Sequence, residues 1–421
     1  FVGVSSAIQP INGFNFGAGN YARVRQTYRL AGKISLTISA LWFLVFQFLP
    51  RQIGALFVSD SPLYLDCAQH IFRIHMLKKE NFTEEHIRDL QSASHRDPLL
   101  LERSVYAFGL LEAITRVGMP FIFKGGTCLM LLLERPMRLS TDIDIIVAPG
   151  TDLNTFIEEA GKIFPFVSVE EQVRKGKNNI EKRHFKFVYE SPVMERSIYI
   201  LLDVLFEDAK YKRLIAKPIK NELILTDGED LTVQIPSVES ILGDKLTAFA
   251  PHTTGILLNS NKDMEIIKQL YDVMTLIEVA EDFTEVRETY YSLVQDEIAY
   301  RGLDIGPGDA LRDTYNAAVS IASRGKVSKE DYVSYLQGLR DVRSHIYVEN
   351  FSAEEASKRV PVVMYLVACL LKNVPFEKDI DSAAYLGAGF ISDELKALKS
   401  LRKVAPAGYA CAVKADRLLN E

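Results

Sequence analysis

Cysteine is too scarce and too scattered to staple this chain of 421 residues. Cys67, Cys128, Cys369 and Cys411 have neither the density of a disulfide framework nor metal-ligand spacing. They fit a reducing compartment, where thiols stay free and buried. The seven histidines form no H-x-x-x-H pattern and no His–Cys cluster, which removes support for zinc chemistry. Basic charge is in short supply too. With 49 Lys and Arg against 55 Asp and Glu, the net charge is −6, which argues against broad, non-specific nucleic-acid binding and leaves room only for a local basic patch. No repeat or low-complexity tract stands out, no Walker lysine follows a glycine pair, and no serine has a nucleophile-elbow setting. Beyond residue 75, no stretch is apolar for long enough to continue a membrane domain. What remains is a globular composition, 25% charged and 48% hydrophobic, long enough for two or three domains.

The stretch at residues 121–147, FIFKGGTCLMLLLERPMRLSTDIDIIV, carries the strongest chemical signal. It reads as a short strand ending at Lys124, a turn at Gly125-Gly126, a helix opened by Thr127 and stopped before Pro136, and a second strand. The glycines permit φ > 0 and close approach of the backbone to a ligand. The free N–H groups and positive dipole end of the helix start suit a phosphate. Asp142 and Asp144 stand two apart, so both carboxylates project from one face of their strand and Ile143 and Ile145 from the other. Two such carboxylates repel unless a cation joins them, and Mg²⁺ shared with nucleotide phosphates is the obvious candidate. The plain alternative is a turn followed by a solvated acidic edge.

The chain starts at Phe1, which suggests an incomplete beginning. Residues 34–49, ISLTISALWFLVFQFL, carry no charge and sit at the lower length limit for a transmembrane helix, too far inside to be a signal peptide. A buried helix of a soluble domain is the other reading. Together with residues 8–29, notably Gln9-Pro10 and the run from Asn15 to Asn20, NFGAGN, this part resembles a multidrug and toxic-compound extrusion (MATE) transporter over residues 1–74. Such a transporter needs many membrane helices and this piece supplies one or two. The junction between this fragment, residues 1–75, and the following protein is expected near His75-Met76, with membrane association through residues 1–75 alone.

From Met76 the pattern predicts a mixed α/β (α+β) core over residues 76–236 and a helical lobe over 237–421, both cytoplasmic. Helices are expected near 99–117 and 153–163, with Thr83 capping an earlier one. Extended segments are expected at 166–173, 184–190, 198–206, 223–225 and 231–235. Ser237 can cap the next helix; others follow at 261–279, 283–301, 307–323, 329–348 and 353–371, and residues 392–421 are expected to dock loosely.

A third carboxylate strengthens the signal at 121–147. Asp203 is the only charge in the apolar run Ile198-Tyr199-Ile200-Leu201-Leu202-Asp203-Val204-Leu205-Phe206, where burial is costly without a partner or a cation. Three strand carboxylates beside a phosphate-binding helix start suit two-metal phosphoryl transfer. Lys124-Gly125-Gly126-Thr127 with Arg138-Leu139-Ser140-Thr141-Asp142-Ile143-Asp144 resembles the signature of the AbiEii/AbiGii toxins, minimal nucleotidyltransferases of the DNA polymerase-β type. The resemblance extends over residues 76–400, through Asp203, Pro236-Ser237-Val238-Glu239, Asp244-Lys245-Leu246 and Lys268-Gln269-Leu270-Tyr271-Asp272. Gln269 departs from the acidic residue usual in the last block.

The resemblance implies that Asp142, Asp144 and Asp203 hold metal, two Mg²⁺ ions, and that Lys124, Gly125, Gly126, Thr127, Ser140, Lys245 and Lys268 contact the nucleotide. Asp272 is expected to face the cleft and help activate the acceptor hydroxyl; the plain alternative for Lys268 and Asp272 is a surface salt bridge four residues apart, and for Lys245 a surface lysine. The basic run at 174–186 is either a solvated hairpin or a contact for acceptor RNA or nucleotide phosphates. The family further implies an NTP donor, GTP being a guess, an RNA acceptor such as tRNA, an antitoxin encoded nearby, and abortive phage defence. Two other readings stay open: a non-catalytic NTP-binding module, and a transporter fragment with a passenger domain.

Overall fold

The computed structural model describes residues 2–48, 76–133, 135–172, 181–228 and 230–421. Two compact units divide the chain: Phe1–Met76 with Arg116–Gly118, and Leu77–Thr115 with Met119–Glu421. The first contains helices α1 (Val2–Gly17) and α2 (Tyr21–Phe48), joined by a turn in which Gly19 takes φ +73°. Among the described residues no helix is long and apolar enough to cross a membrane, which corrects the membrane-helix reading of residues 34–49. Arg23, Arg25, Arg29 and Lys33 occupy the first half of α2. Its uncharged part, residues 34–48, rises only about 22 Å, short of a hydrocarbon core of about 30 Å. Leu49 and Cys67 lie outside the described residues.

From Met76 the order is β1 (Met76–Leu77), α3 (Glu84–Ser94), α4 (Pro98–Arg116), β2 (Ile122–Lys124), α5 (Gly125–Leu132), β3 (Ile143–Val147), α6 (Asn154–Gly161), β4 (Phe166–Glu171), β5 (Lys182–Ser191), β6 (Arg196–Phe206), β7 (Leu214–Pro218), β8 (Thr226–Asp227) and β9 (Thr232–Pro236). Thr83 caps α3 as expected, accepting from His86 N. The main sheet has the order β2-β3-β6-β5-β4, with β3 and β6 parallel and the other pairs antiparallel. Alternation explains why β6 is central: Ile200, Leu202, Val204 and Phe206 are buried on one face. The buried Glu102 of α4 ties that helix to β5 by accepting from Tyr189 Oη, Ser191 Oγ and Val193 N. Tyr106 stacks on Tyr189 with ring centroids 3.7 Å apart, adding apolar area to the same joint.

One strand is misplaced in the sequence reading. Residues 223–225 are not extended, because Asn221 turns the chain there and the short strand β8 follows at Thr226–Asp227; β9 pairs with β7, whose half-exposed LIAKP segment lacks a strong apolar signal.

The helical lobe comprises α7 (Val238–Ala248), α8 (Asp263–Val279), α9 (Phe283–Arg301), α10 (Pro307–Ala322), α11 (Lys329–Asp341), α12 (Ala353–Arg359), α13 (Pro361–Lys372) and α14 (Pro406–Asn420). Ser237 caps α7 by accepting from Ser240 N. The single helix expected at 353–371 is two, because Pro361 lacks an N–H and begins a new helix at its first position. The end of the chain docks firmly, contrary to expectation: Tyr409 to Val413 are buried in α14, and the buried Asp416 accepts from Ile391 N and Ser392 N. Sheet core and helical lobe share one compact unit. Residues 137–139 run antiparallel to 345–347, with Leu139 N donating to His345 O at 2.7 Å and Tyr347 N to Met137 O at 2.9 Å.

Candidate active site

The sheet register assembles the charged groups into a row. Lys124 on β2 is opposite Asp144 on β3, Asp144 is opposite Asp203 on β6, and Asp203 is opposite His184 on β5. Paired residues share a face, so four strands present cation, carboxylate, carboxylate and imidazole side by side. His184 Nδ1 lies 2.6 Å from Asp203 Oδ1. Asp142 precedes β3 rather than lying in it, and its Oδ1 is 3.5 Å from Arg103 Nη2 on α4.

The electrostatics of the row are unbalanced toward negative charge. Burial raises the Asp144 carboxyl, and the Asp203 and Asp142 charges add to that against Lys124 and Lys245, so that it reaches about 6. Asp142 is raised by the same causes, with Arg103 opposing. Among the described residues no three metal-binding side chains are already gathered around one point. The three carboxylates are drawn to different partners, Asp142 to Arg103, Asp203 to His184 and Asp144 toward Lys124. The donor set is nonetheless hard oxygen on adjacent positions with unbalanced negative charge, which fits Mg²⁺.

Helix α5 begins at Gly125, two residues before the expected start at Thr127. Gly125 has φ +82°, and a Cβ there would stand 2.0 Å from Asp144 Oδ2. At Gly126 a Cβ would stand 2.6 Å from Ser140 Oγ and 2.7 Å from Arg138 Nη2. The glycines therefore let the first turn of α5 lie directly against Asp144 and Ser140, with helix N–H groups that no intrahelical carbonyl accepts. We expect Gly125→Ala to lower the melting temperature and to cut nucleotide transfer below about a tenth, because the left-handed backbone costs about 1–2 kcal/mol and the carboxylate must move. A variant with parental melting and turnover would refute this role.

The Thr127 hydroxyl is buried and donates to the Asp142 carbonyl at 2.6 Å, which fixes the acidic segment against the start of α5. Lys124 approaches Asp244 of α7 at 3.5 Å, and Tyr211 Oη donates to the same carboxylate at 2.9 Å. Burial would lower Lys124, but Asp244, Tyr211, Glu207 and Asp144 together hold it well above the usual lysine range.

Asp272 requires the largest revision. It is 2% exposed and accepts from Arg138 Nε and Nη2 at 2.6 and 2.7 Å, with Lys245 Nζ at 2.9 Å. Burial would raise its carboxyl, yet Arg138 and Lys245 hold it below the usual range. A carboxylate saturated by two cations is a poor proton acceptor, so its expected part in activating a hydroxyl does not fit this geometry. The plain alternative, a Lys268–Asp272 salt bridge, does not form: Lys268 Nζ pairs with Glu265 at 3.0 Å and acts electrostatically on Asp142. Lys245 is buried and also donates to Gln269 Oε1 at 2.9 Å, which gives the neutral residue at 269 a defined partner.

Arg138, Arg103 and His184 escaped the sequence reading as site residues. Arg138 stood in the quoted motif as a signal that could have been used; Arg103 and His184 reach the site only through tertiary placement. Of the basic run at 174–186, residues 174–180 lie outside the described residues. Arg183 pairs with Glu171 at 2.8 Å, and Lys186 lies over the Tyr199 ring.

Residues 110–354 match the family model described as nucleotidyl transferase AbiEii toxin, Type IV TA system. Residues 1–78 match the MatE model. Among solved structures, JHP933 from Helicobacter pylori is similar at 14% identity and a TM-score of 0.38, over 65% of this chain and 94% of that one. An antigenic nucleotidyltransferase-like protein from Paracoccidioides brasiliensis is similar at 16% identity and a TM-score of 0.31, over 46% of this chain and 88% of that one. No curated protein matches the chain.

Proposed function

Because the chain belongs to the AbiEii nucleotidyltransferase toxin family of Type IV toxin–antitoxin systems, we propose that it transfers NMP from an NTP to an RNA acceptor in a Mg²⁺-dependent reaction of the polymerase-β type, releasing pyrophosphate. The observation that carries this reading is the row Lys124–Asp144–Asp203–His184 beside the glycine-started helix α5. Asp142, Asp144 and Asp203 are the residues that would hold Mg²⁺. When bound, the metal supplies charge neutralisation on the phosphate and lowers the pKa of the attacking hydroxyl.

The chain's own groups do the rest. The first turn of α5 at Gly125-Gly126, with Ser140 against it, offers N–H and hydroxyl donors to the triphosphate. His184 donates from Nδ1 to Asp203 and fixes the direction in which that carboxylate points. Lys124 stands in register with Asp144, and the charges of Lys124 and Lys268 act against Asp144 and Asp142 respectively. Asp272 orients Arg138 and Lys245, and through them the floor beneath Gly126. The toxin family implies an antitoxin partner and an NTP substrate.

The test is incubation of the full chain with each labelled NTP, Mg²⁺ and total bacterial RNA. Label should enter RNA with one or more NTPs, disappear with EDTA, and be absent in the Asp142→Ala/Asp144→Ala/Asp203→Ala protein. Equal incorporation by that variant would overturn the assignment; nucleotide retention without incorporation would leave a binding module.

A further inference from the structure

Within the helical lobe a second concave site lies outside the catalytic row. An open cavity of about 540 Å³ sits where the turn after α10 meets α11, and Arg324, Lys326, Lys329 and Arg340 line it, with Asp263 the single carboxylate. All four cations are exposed, and among the described residues none stands within ion-pair distance of a carboxylate, while the Arg324 charge also acts on Glu354 of α12. Nearby cations behave differently: Lys358 is paired with Glu354 and Glu355, and Arg359 with Glu278 and Glu349. Four unpaired cations around one concavity, in a chain of net charge −6, concentrate positive potential where an anion can reach it.

The lining is shaped as well as charged. Arg324 and Gly325 take φ +55° and +77°, which folds the turn back so tightly that a Cβ at Gly325 would lie 2.7 Å from the Tyr332 ring. Tyr332 is thus held as a half-buried wall, and Val333 beside it is 66% exposed. An aromatic wall among cations is the combination that takes a base together with its phosphate. The volume suits one nucleotide.

Asp263 also borders a second open cavity of about 610 Å³, lined by Lys262, Glu265 and Asp341 among others. Glu265 pairs with Lys268, whose charge acts on Asp142. Asp263 and Glu265 both belong to the first turn of α8, and this second cavity is lined by more carboxylates than cations.

We propose that this cavity binds the phosphodiester backbone of the acceptor RNA, with Arg324, Lys326, Lys329 and Arg340 on phosphates and the Tyr332 ring against a base. The assignment rests on the reading of the chain as an RNA-directed nucleotidyltransferase and gives that acceptor a docking site. An acidic protein partner matches the charge but requires a broader interface of about 800 Å², whereas this lining is nucleotide-sized.

The experiment uses the full chain, its Arg324→Glu/Lys326→Glu/Lys329→Glu/Arg340→Glu variant and a Tyr332→Ala variant. Total bacterial tRNA is the probe, with duplex DNA of similar length and poly-glutamate as competitors. Binding is measured from about 50 to 200 mM salt, and transfer is measured against RNA concentration. In the fourfold variant, tRNA affinity should fall at least about tenfold and the slope of log K against log salt should flatten by about 3. KM for RNA should rise while kcat and KM for the NTP hold. Tyr332→Ala should weaken tRNA binding without altering the salt slope. Parental RNA affinity in a fourfold variant that melts like the parent would overturn the assignment, as would poly-glutamate competing as well as RNA. A parent that binds tRNA here but modifies none would remove the acceptor reading and leave the cavity assignment; a parent that neither binds nor modifies RNA would remove both.

Discussion

An Asp144→Asn protein is expected to lose nucleotide transfer by more than about 100-fold and, without metal at pH 7, to melt at a higher temperature than its parent. The loss follows from removing the carboxylate that stands between Lys124 and Asp203 and would bind the metal. The gain follows from the energetic cost of that carboxylate. Its pKa is raised from 3.8 to about 6, first by burial and then by the Asp203 and Asp142 charges. Between these values the folded protein binds more protons than the unfolded chain, so stability falls as pH rises from about 4 to about 6. Above 6 the cost is complete, about 3 kcal/mol at most, and below 4 it vanishes. The two proteins should therefore melt apart at pH 7 and together at pH 4, and Mg²⁺ should stabilise the parent more than the variant. Equal melting at both pH values would mean that Asp144 is not strained by charge.

Asp272→Ala is expected to destabilise the protein by about 3–5 kcal/mol, the largest loss from any single change near the site. Truncation strands two buried cations, Arg138 at 6% exposure and Lys245 at 8%, whose charges Asp272 now neutralises. Asp272→Asn should fall between the variant and the parent, keeping hydrogen-bond capacity without charge. Activity should track the folded fraction in both, and should recover in part on cooling or with added Mg-nucleotide. A protein with parental melting and no turnover would instead restore a direct chemical role to this carboxylate. Here the pH dependence has the opposite sign to that of Asp144: the folded-state pKa is depressed, so the stabilisation is complete above about pH 4 and is lost as pH falls below it. Chemical denaturation at pH 3.5 and 7 measures the difference.

Placed together, these two carboxylates show where reading a chain by pattern succeeds and where it stops. Asp142, Asp144 and Asp203 were legible because two-residue spacing and an isolated charge in an apolar run are properties of one strand at a time. Gly125 was legible because a left-handed position beside a strand end has a residue signature, and its φ is +82°. Helix α9, Phe283–Arg301, lies where the sequence pattern placed it, and the structure shows its ends, with Asp282 accepting from Thr284 N and Glu285 N and Gly302 turning left-handed at φ +61°. Strand β7 was not, since a five-residue half-exposed segment gives no periodicity strong enough to outweigh its neighbours.

By itself, the sequence determined that the chain carries a Gly-Gly turn ahead of a helix, two carboxylates two residues apart, an isolated carboxylate in an apolar strand and a mixed α/β core followed by helices, because each of these is encoded within about a dozen neighbouring residues. Only the tertiary structure decided which groups meet. Asp203 faces Asp144 because β6 runs parallel to β3 in one register, and His184 joins them because β5 is antiparallel to β6. Asp272 became a buried counter-ion because Arg138, 134 residues away, folds onto it. Such pairings are set by strand register and helix packing across long separations, and no local pattern records them.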